Sequence, residues 1–271
     1  MSPMNKSYMP VKHQARKRFG QNFLVDPDII ELIVKAIAPK KDDNLIEIGA
    51  GQGAITAPLL EKCSALRVIE LDRDLIPILK NKFQQYTDFK IHQGDALEVN
   101  FQQFFTNQRP LRIVGNLPYN ITTPLLFHLL NFNECISDMY FMLQKEVVDR
   151  LSSSPGQKNY GRLSVMIQYY CKVDPLFLVP PSAFEPAPKV VSAMVLLRPY
   201  STPPHLANNL KNLGALVRIC FQNRRKTIRN SLKLMLPDNL LKKLDIDLTL
   251  RPEKLSVGQF VQLSNQMDSL L

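Results

Sequence analysis

The chain has 271 residues, 45% hydrophobic and 21% charged, which suits one large core with a small appendage, and no long polar tract suggests disorder. Its formal net charge of +10 and isoelectric point near 9.4 point to a polyanionic partner, nucleic acid first. The scattered Cys63, Cys135, Cys171 and Cys220 form no CxxC pair and make no ligand spacing with His13, His92, His128 or His205, so neither a disulfide framework nor a metal site is indicated and a reducing cytoplasm fits.

Residues 1–25 carry Lys6, Lys12, Arg16, Lys17 and Arg18 and no acidic residue. Pro3 and Pro10 interrupt any long amphipathic helix, so the segment reads as a short basic arm and not as a transit peptide or secretory leader. Asp26-Pro27 is a helix start, a cap followed by proline at the first helical position, and residues 28–38 continue it with apolar positions at helical spacing. Asn44 to Ile48 reads as a buried strand running into a glycine-rich turn, with a helix to about Cys63. Further strands are expected at Leu66–Leu71, Phe89–His92, Leu111–Val114 and Met139–Leu143, with helices at about Thr123–Leu130 and Lys145–Leu151. Ser152 to Gly161 is a loop, Arg162–Tyr170 a helix, and Val173–Val179 and Val190–Leu197 two more strands. Even Val190–Leu197, the longest apolar run, falls well short of the roughly 18 residues that span a membrane.

Strands alternating with helices predict an α/β fold with a seven-stranded, mostly parallel sheet whose ligands sit at the carboxyl ends of the strands. Pro199 to Pro204 reads as a linker, which divides the chain into 1–199 and an all-helical domain at 200–271. From residue 205 onward eleven basic residues stand against five acidic ones, so this quarter of the chain holds a net +6 of the total +10.

The turn after the first strand is Glu47-Ile-Gly49-Ala-Gly51-Gln-Gly53, a GxGxG and not the GxGxxG of dinucleotide binders. The second strand reaches Glu70, 21 positions after Gly49, where a carboxylate can accept both hydrogen bonds of a ribose diol. Asp72 competes for that role, but reads better as the cap of the following helix. The third strand ends at Asp95, placed to accept from an adenine amino group. With no lysine in the glycine turn to hold a phosphate, S-adenosylmethionine suits this pattern better than ATP.

The fourth strand ends in Asn116-Leu117-Pro118-Tyr119. The lone pair of adenine N6 is delocalised into the ring, so a site that alkylates it must accept the two amino hydrogens and let the lone pair leave the ring plane. The Asn116 side-chain oxygen is one acceptor, the Leu117 carbonyl positioned by Pro118 the other, and Tyr119 can stack on an extruded base. For the RNA backbone, the clearest phosphate contacts are Arg16, Lys17 and Arg18 in the arm and Arg224, Arg225, Lys226 and Arg229 in the helical domain.

RKRFGQNFLVD (16–26), EIGAGQGAIT (47–56), VIELDRD (68–74), GDAL (94–97), GNLPYNITTPLL (115–126), YGRLSVMIQ (160–168) and FEPAPKVVSAMVLL (184–197) closely resemble the ribosomal RNA adenine dimethyltransferases of the KsgA type, as does NRRKTIRNSL (223–232). The resemblance implies a Rossmann-like class I methyltransferase sheet with a small helical RNA-contacting domain. It implies transfer of methyl groups from S-adenosyl-L-methionine to N6 of two adjacent adenosines in the 3′-terminal hairpin loop of small-subunit rRNA. It also implies cofactor contacts at Asn22, Leu24, Gly49, Gly51, Glu70, Asp95 and Asn116, and a second aromatic wall at Phe184 facing Tyr119. The implied partner is an immature small ribosomal subunit, met by a cytoplasmic monomer. Two other readings compete: the sister enzymes that methylate large-subunit rRNA and confer macrolide resistance, and a non-catalytic RNA-binding assembly factor. The intact NLPY and glycine motifs speak against the last.

Overall fold

The computed structural model describes residues 21–106 and 108–270. Helix α1 (Pro27–Ile37) starts as expected: the Asp26 carboxylate accepts from the N–H groups of Asp28 and Ile29, and Pro27 fills the first turn. The main sheet contains β1 (Asn44–Ile48), β2 (Leu66–Glu70), β3 (Phe89–Gln93), β4 (Leu111–Asn116), β5 (Ile136–Gln144), β6 (Cys171–Val179) and β7 (Ser192–Pro199) in the order 3-2-1-4-5-7-6. The first five strands are parallel, and β7 runs antiparallel to both β5 and β6. The order reverses at β1, between β2 and β4, so the carboxyl ends of these neighbours open a crevice.

Alternation along the strands builds a core on each face of the sheet. Ile46, Ile48, Ile113 and Phe141 pack with α4 (Thr122–Leu130) and α5 (Lys145–Ser152), while Leu45, Val68, Val114 and Tyr140 pack with α1, α2 (Thr56–Leu60) and α3 (Leu75–Lys82). One departure from the expected elements is a two-residue ladder outside the main sheet. Phe23 and Leu24 pair antiparallel with Glu185 and Phe184, and Val25 donates to the Ala183 carbonyl at 2.9 Å. A strand this short carries no period to read. It straps residues 21–25 across the crevice.

The remaining chain is helical: α7 (Leu210–Gln222), α8 (Ile228–Leu232), α9 (Asp238–Leu241) and α10 (Val257–Leu270). Helix α6 (Arg162–Tyr170) belongs to both lobes. Its Leu163 and Ile167 join the sheet core, whereas Val165, Met166 and Tyr169 join the core of the helical lobe around Leu216, Val217 and Phe260. The fully buried Tyr160 hydroxyl donates to the Leu255 carbonyl at 2.9 Å. Among the described residues no helix is long and apolar enough to cross a membrane.

A core shared through α6 predicts that the two lobes unfold together. Tyr160→Phe leaves the Leu255 carbonyl buried and unpaired, which costs about 1–3 kcal/mol. In urea, one transition with a lower midpoint is expected; two separated transitions, of which only one moves, would contradict the shared core.

Candidate active site

Five segments line one cavity at the carboxyl ends of the strands: the 21–25 strap, the glycine turn, the end of β2, residues 94–96 after β3, and residues 116–121 after β4. Every expected cofactor contact lies on it: Asn22, Leu24, Gly49, Gly51, Glu70, Asp95 and Asn116. Backbone geometry explains the glycines. Gly49 and Gly51 have φ of +72° and +58°, and a Cβ on Gly51 would stand 3.0 Å from the Phe23 ring. Gly115 has another reason: a Cβ there would come 2.7 Å from the Ile48 carbonyl oxygen, so glycine lets β4 approach β1 closely just before Asn116.

Glu70 is buried at the cavity wall, and each carboxylate oxygen already takes one main-chain donor, Asp72 N–H at 2.9 Å and Gly51 N–H at 3.3 Å. Burial pushes its pKa up against these hydrogen bonds, with Asp72 adding to the rise. Asp72 is not the cap of α3. That helix begins three residues later, and the buried Asp72 carboxylate instead accepts from Asp74 N–H at 3.2 Å and from the Gln21 side chain at 2.9 Å. Asp95 accepts from Leu97 N–H at 2.9 Å, which holds the turn after β3. The sequence reading missed Leu71, which is 50% exposed on the cavity wall between two acids. A leucine between two acids at a strand end, Glu70-Leu71-Asp72, was the available signal.

The lining contains four carboxyl groups (Glu47, Glu70, Asp72 and Asp95) and, among the described residues, no lysine or arginine. Such walls repel phosphates and favour a ligand carrying positive charge. The carboxylates of Glu70 and Asp95, as hydrogen-bond acceptors, and the apolar Leu71 together fit a cationic nucleoside.

On the opposite wall, the Asn116 side-chain nitrogen donates to the Asn22 main-chain carbonyl at 3.1 Å. A carbonyl only accepts, so this contact fixes which end of the amide is nitrogen and turns Oδ1 to the other side. The hydrogen bonds that close the next turn, from Ile121 N–H and the Thr122 hydroxyl, go to the Pro118 carbonyl and not to that of Leu117. Leu117, Pro118 and Tyr119 line the cavity, and the Tyr119 hydroxyl lies 3.1 Å from Ser192 Oγ. Phe184 does not form the expected second wall. It is 4% exposed, packed in the core with Val179 and Ala183, and its main chain holds Leu24. It anchors the loop that carries the strap.

Of the expected RNA contacts, Arg225, Lys226 and Arg229 are exposed. Arg224 is engaged within the protein, by Glu253 at 2.7 Å and the Lys158 carbonyl at 2.6 Å. Arg16, Lys17 and Arg18 lie outside the described residues.

The chain matches the ribosomal RNA adenine dimethylase family over residues 12–269. It is similar to the ribosomal RNA small subunit methyltransferase A of Saccharophagus degradans, with 59% identity over 97% of this chain and 98% of that one. Its counterpart in Pseudomonas aeruginosa is 52% identical over 96% and 97% of the two chains. Among solved structures, a dimethyladenosine transferase from Plasmodium falciparum superposes with a TM-score of 0.75 at 27% identity, covering 89% of this chain and 95% of that one. The 23S rRNA methyltransferase ErmE, at TM-score 0.70 and 24% identity, shares the fold over 91% of this chain and all of its own.

Beneath the glycine turn, Glu47 accepts from the Thr56 hydroxyl at 2.6 Å. Burial pushes its carboxyl up to about 7; the Thr56 hydrogen bond opposes the rise and the Glu70 charge adds to it. An acid whose folded pKa is raised contributes stability that is present below its ordinary value of 4.5 and is lost as pH rises through about 7. Glu47→Gln keeps an acceptor for Thr56 and removes that loss. From pH 5 to pH 8 its stability should gain on wild type by on the order of 2–3 kcal/mol, read from urea midpoints. Parallel pH profiles would contradict an uncharged Glu47.

Proposed function

The chain belongs to the ribosomal RNA adenine dimethylase family, and from that premise we propose that the cavity at the ends of β1 to β4 is its catalytic site, with residues 116–119 as the base-binding wall. The activity is S-adenosyl-L-methionine-dependent dimethylation of adenine N6 in ribosomal RNA. The substrate assigned here is the small-subunit RNA that its 52–59% identical relatives are named for, at two adjacent adenosines in its 3′-terminal hairpin loop. The large-subunit reading has only a likeness of fold behind it.

The cofactor supplies an electrophilic methyl group on a sulfonium centre. The acidic lining suits that positive charge: Glu70 would hold the ribose and Asp95 the adenine amine, Leu71 would offer the ring an apolar face, and Asn22, Leu24, Gly49 and Gly51 shape the wall. What the chain must do at the base is make a conjugated lone pair available. Asn116 Oδ1 and the Leu117 carbonyl accept the two N6 hydrogens, which favours a tetrahedral nitrogen with its lone pair out of the ring plane. Tyr119 holds the base by stacking, at roughly 1–3 kcal/mol. The observation that carries this reading is the hydrogen bond from Asn116 Nδ2 to Asn22, because it presents the amide's oxygen, not its nitrogen, to the amine.

We further assign residues 1–199 to the catalytic domain and 200–271 to the RNA-contacting domain, acting as a cytoplasmic monomer on an immature small subunit. Arg225, Lys226 and Arg229 are the phosphate contacts of the helical lobe, whereas Arg224 serves mainly to tie that lobe to the loop at Lys158.

Asn116→Ala should slow both methyl transfers by roughly 10²–10³-fold, the effect of losing a transition-state acceptor, with cofactor affinity much less changed. Single-turnover methylation of immature small subunits reads this directly, and near-normal rates would refute the lone-pair argument. Replacing Arg225, Lys226 and Arg229 together by alanine should flatten the dependence of log affinity on log salt by about 2–3. An unaltered slope would remove these residues from the RNA footprint.

A further inference from the structure

Tyr119 is tied down at both ends. Its main chain sits in the turn closed on the Pro118 carbonyl, and its phenolic oxygen is 3.1 Å from Ser192 Oγ. Ser192 is 1% exposed and opens β7, with its main chain paired to Gln144 of β5 and to Val179 of β6. It is the polar residue of a run whose next five members, Ala193 to Leu197, are all buried and apolar. A hydroxyl in such a place is costly unless hydrogen-bonded, and Tyr119 is the partner it has. The antiparallel end of the sheet thus fixes the far end of the aromatic ring that stands beside Asn116 on the cavity wall.

We propose that Ser192 is a positioning residue for methyl transfer, holding the Tyr119 ring in place through its hydroxyl, and that this matters most for the second methyl. The proposal rests on residues 116–119 being the base site. An unmethylated amine gives hydrogens to both acceptors, Asn116 Oδ1 and the Leu117 carbonyl. A monomethyl amine has one hydrogen left, and its methyl must turn away from the acceptors. Orientation of the base in the second transfer therefore depends more on the stacked ring. A ring held at its hydroxyl keeps its plane without ordering it anew at each turnover.

The test is a double-mutant cycle of Ser192→Ala and Tyr119→Phe in single-turnover methylation of small subunits, with monomethyl and dimethyl adenosine resolved by mass spectrometry. Either single change should slow the second transfer by about two- to tenfold, as for loss of one neutral hydrogen bond. The first transfer should slow less, monomethyl adenosine should accumulate, and cofactor affinity should hold. The double variant should be no slower than the slower single one. Losses that multiply in the double variant would overturn the proposal, because Ser192 would then act through the strand and not through Tyr119. A wild-type product ratio in Ser192→Ala would overturn it as well. Should Ser192→Ala fail to fold, Tyr119→Phe alone decides, since an unchanged product ratio there removes the role of the hydroxyl. Tyr119→Ala separates this proposal from its premise. Normal rates in that variant would refute the base site itself, whereas an inactive Tyr119→Ala beside a normal Ser192→Ala would refute only the role of Ser192.

Discussion

The hydrogen bond from Asn116 Nδ2 to the Asn22 carbonyl joins the end of β4 to the strap across 94 residues of sequence. An amide is ambiguous until something chooses which end faces the ligand, and a main-chain carbonyl chooses without ambiguity. The choice depends on the strap being where it is. Gln21 is held by Asp72, and Phe23 and Leu24 by the ladder to Glu185 and Phe184. It depends equally on Gly115, which lets the end of β4 approach β1 so closely. The acceptor proposed for the base is therefore built by elements that line the same cavity as Glu70 and Asp95, and neither part of the wall is set independently of the other.

Charge is divided to match these tasks. The chain as a whole is strongly basic, yet the described part of its cavity is lined by carboxyls and holds no lysine or arginine. A polyanion is attracted over long range to the surface, while its phosphates are disfavoured by the carboxyls of the pocket. Burial raises the pKa of both Glu47 and Glu70.

Much of this was legible in the chain itself. The strand positions, the α/β class and the gathering of these residues at the strand ends follow from residues whose meaning is local: a glycine turn after a strand, an acid at the next strand end, an asparagine at the fourth. What local reading could not reach was direction and distance. Nothing in FEPAPK says that the Phe184 ring turns into the core and leaves the cavity, because a loop aromatic has no period to orient it. Tyr119 and Ser192 meet across 73 residues, and neither alone announces the other. Charge at Arg224 suggested a phosphate contact until its geometry showed Glu253 and the Lys158 carbonyl already there. The change from strands to helices was visible at the linker at 199–204, but the sharing of α6 between two cores was not, since a helix apolar on two faces looks like any buried helix.

The central claim is that a fixed amide oxygen and a main-chain carbonyl receive the adenine amine. The most direct measurement is a crystal structure of the chain with S-adenosylhomocysteine and a small-subunit RNA hairpin carrying the target adenosines. The account predicts N6 within about 3.2 Å of both Asn116 Oδ1 and the Leu117 carbonyl oxygen, with Asn116 Nδ2 still on the Asn22 carbonyl. An adenine whose N6 faces neither oxygen, or an Asn116 amide turned with its nitrogen toward the base, would contradict it.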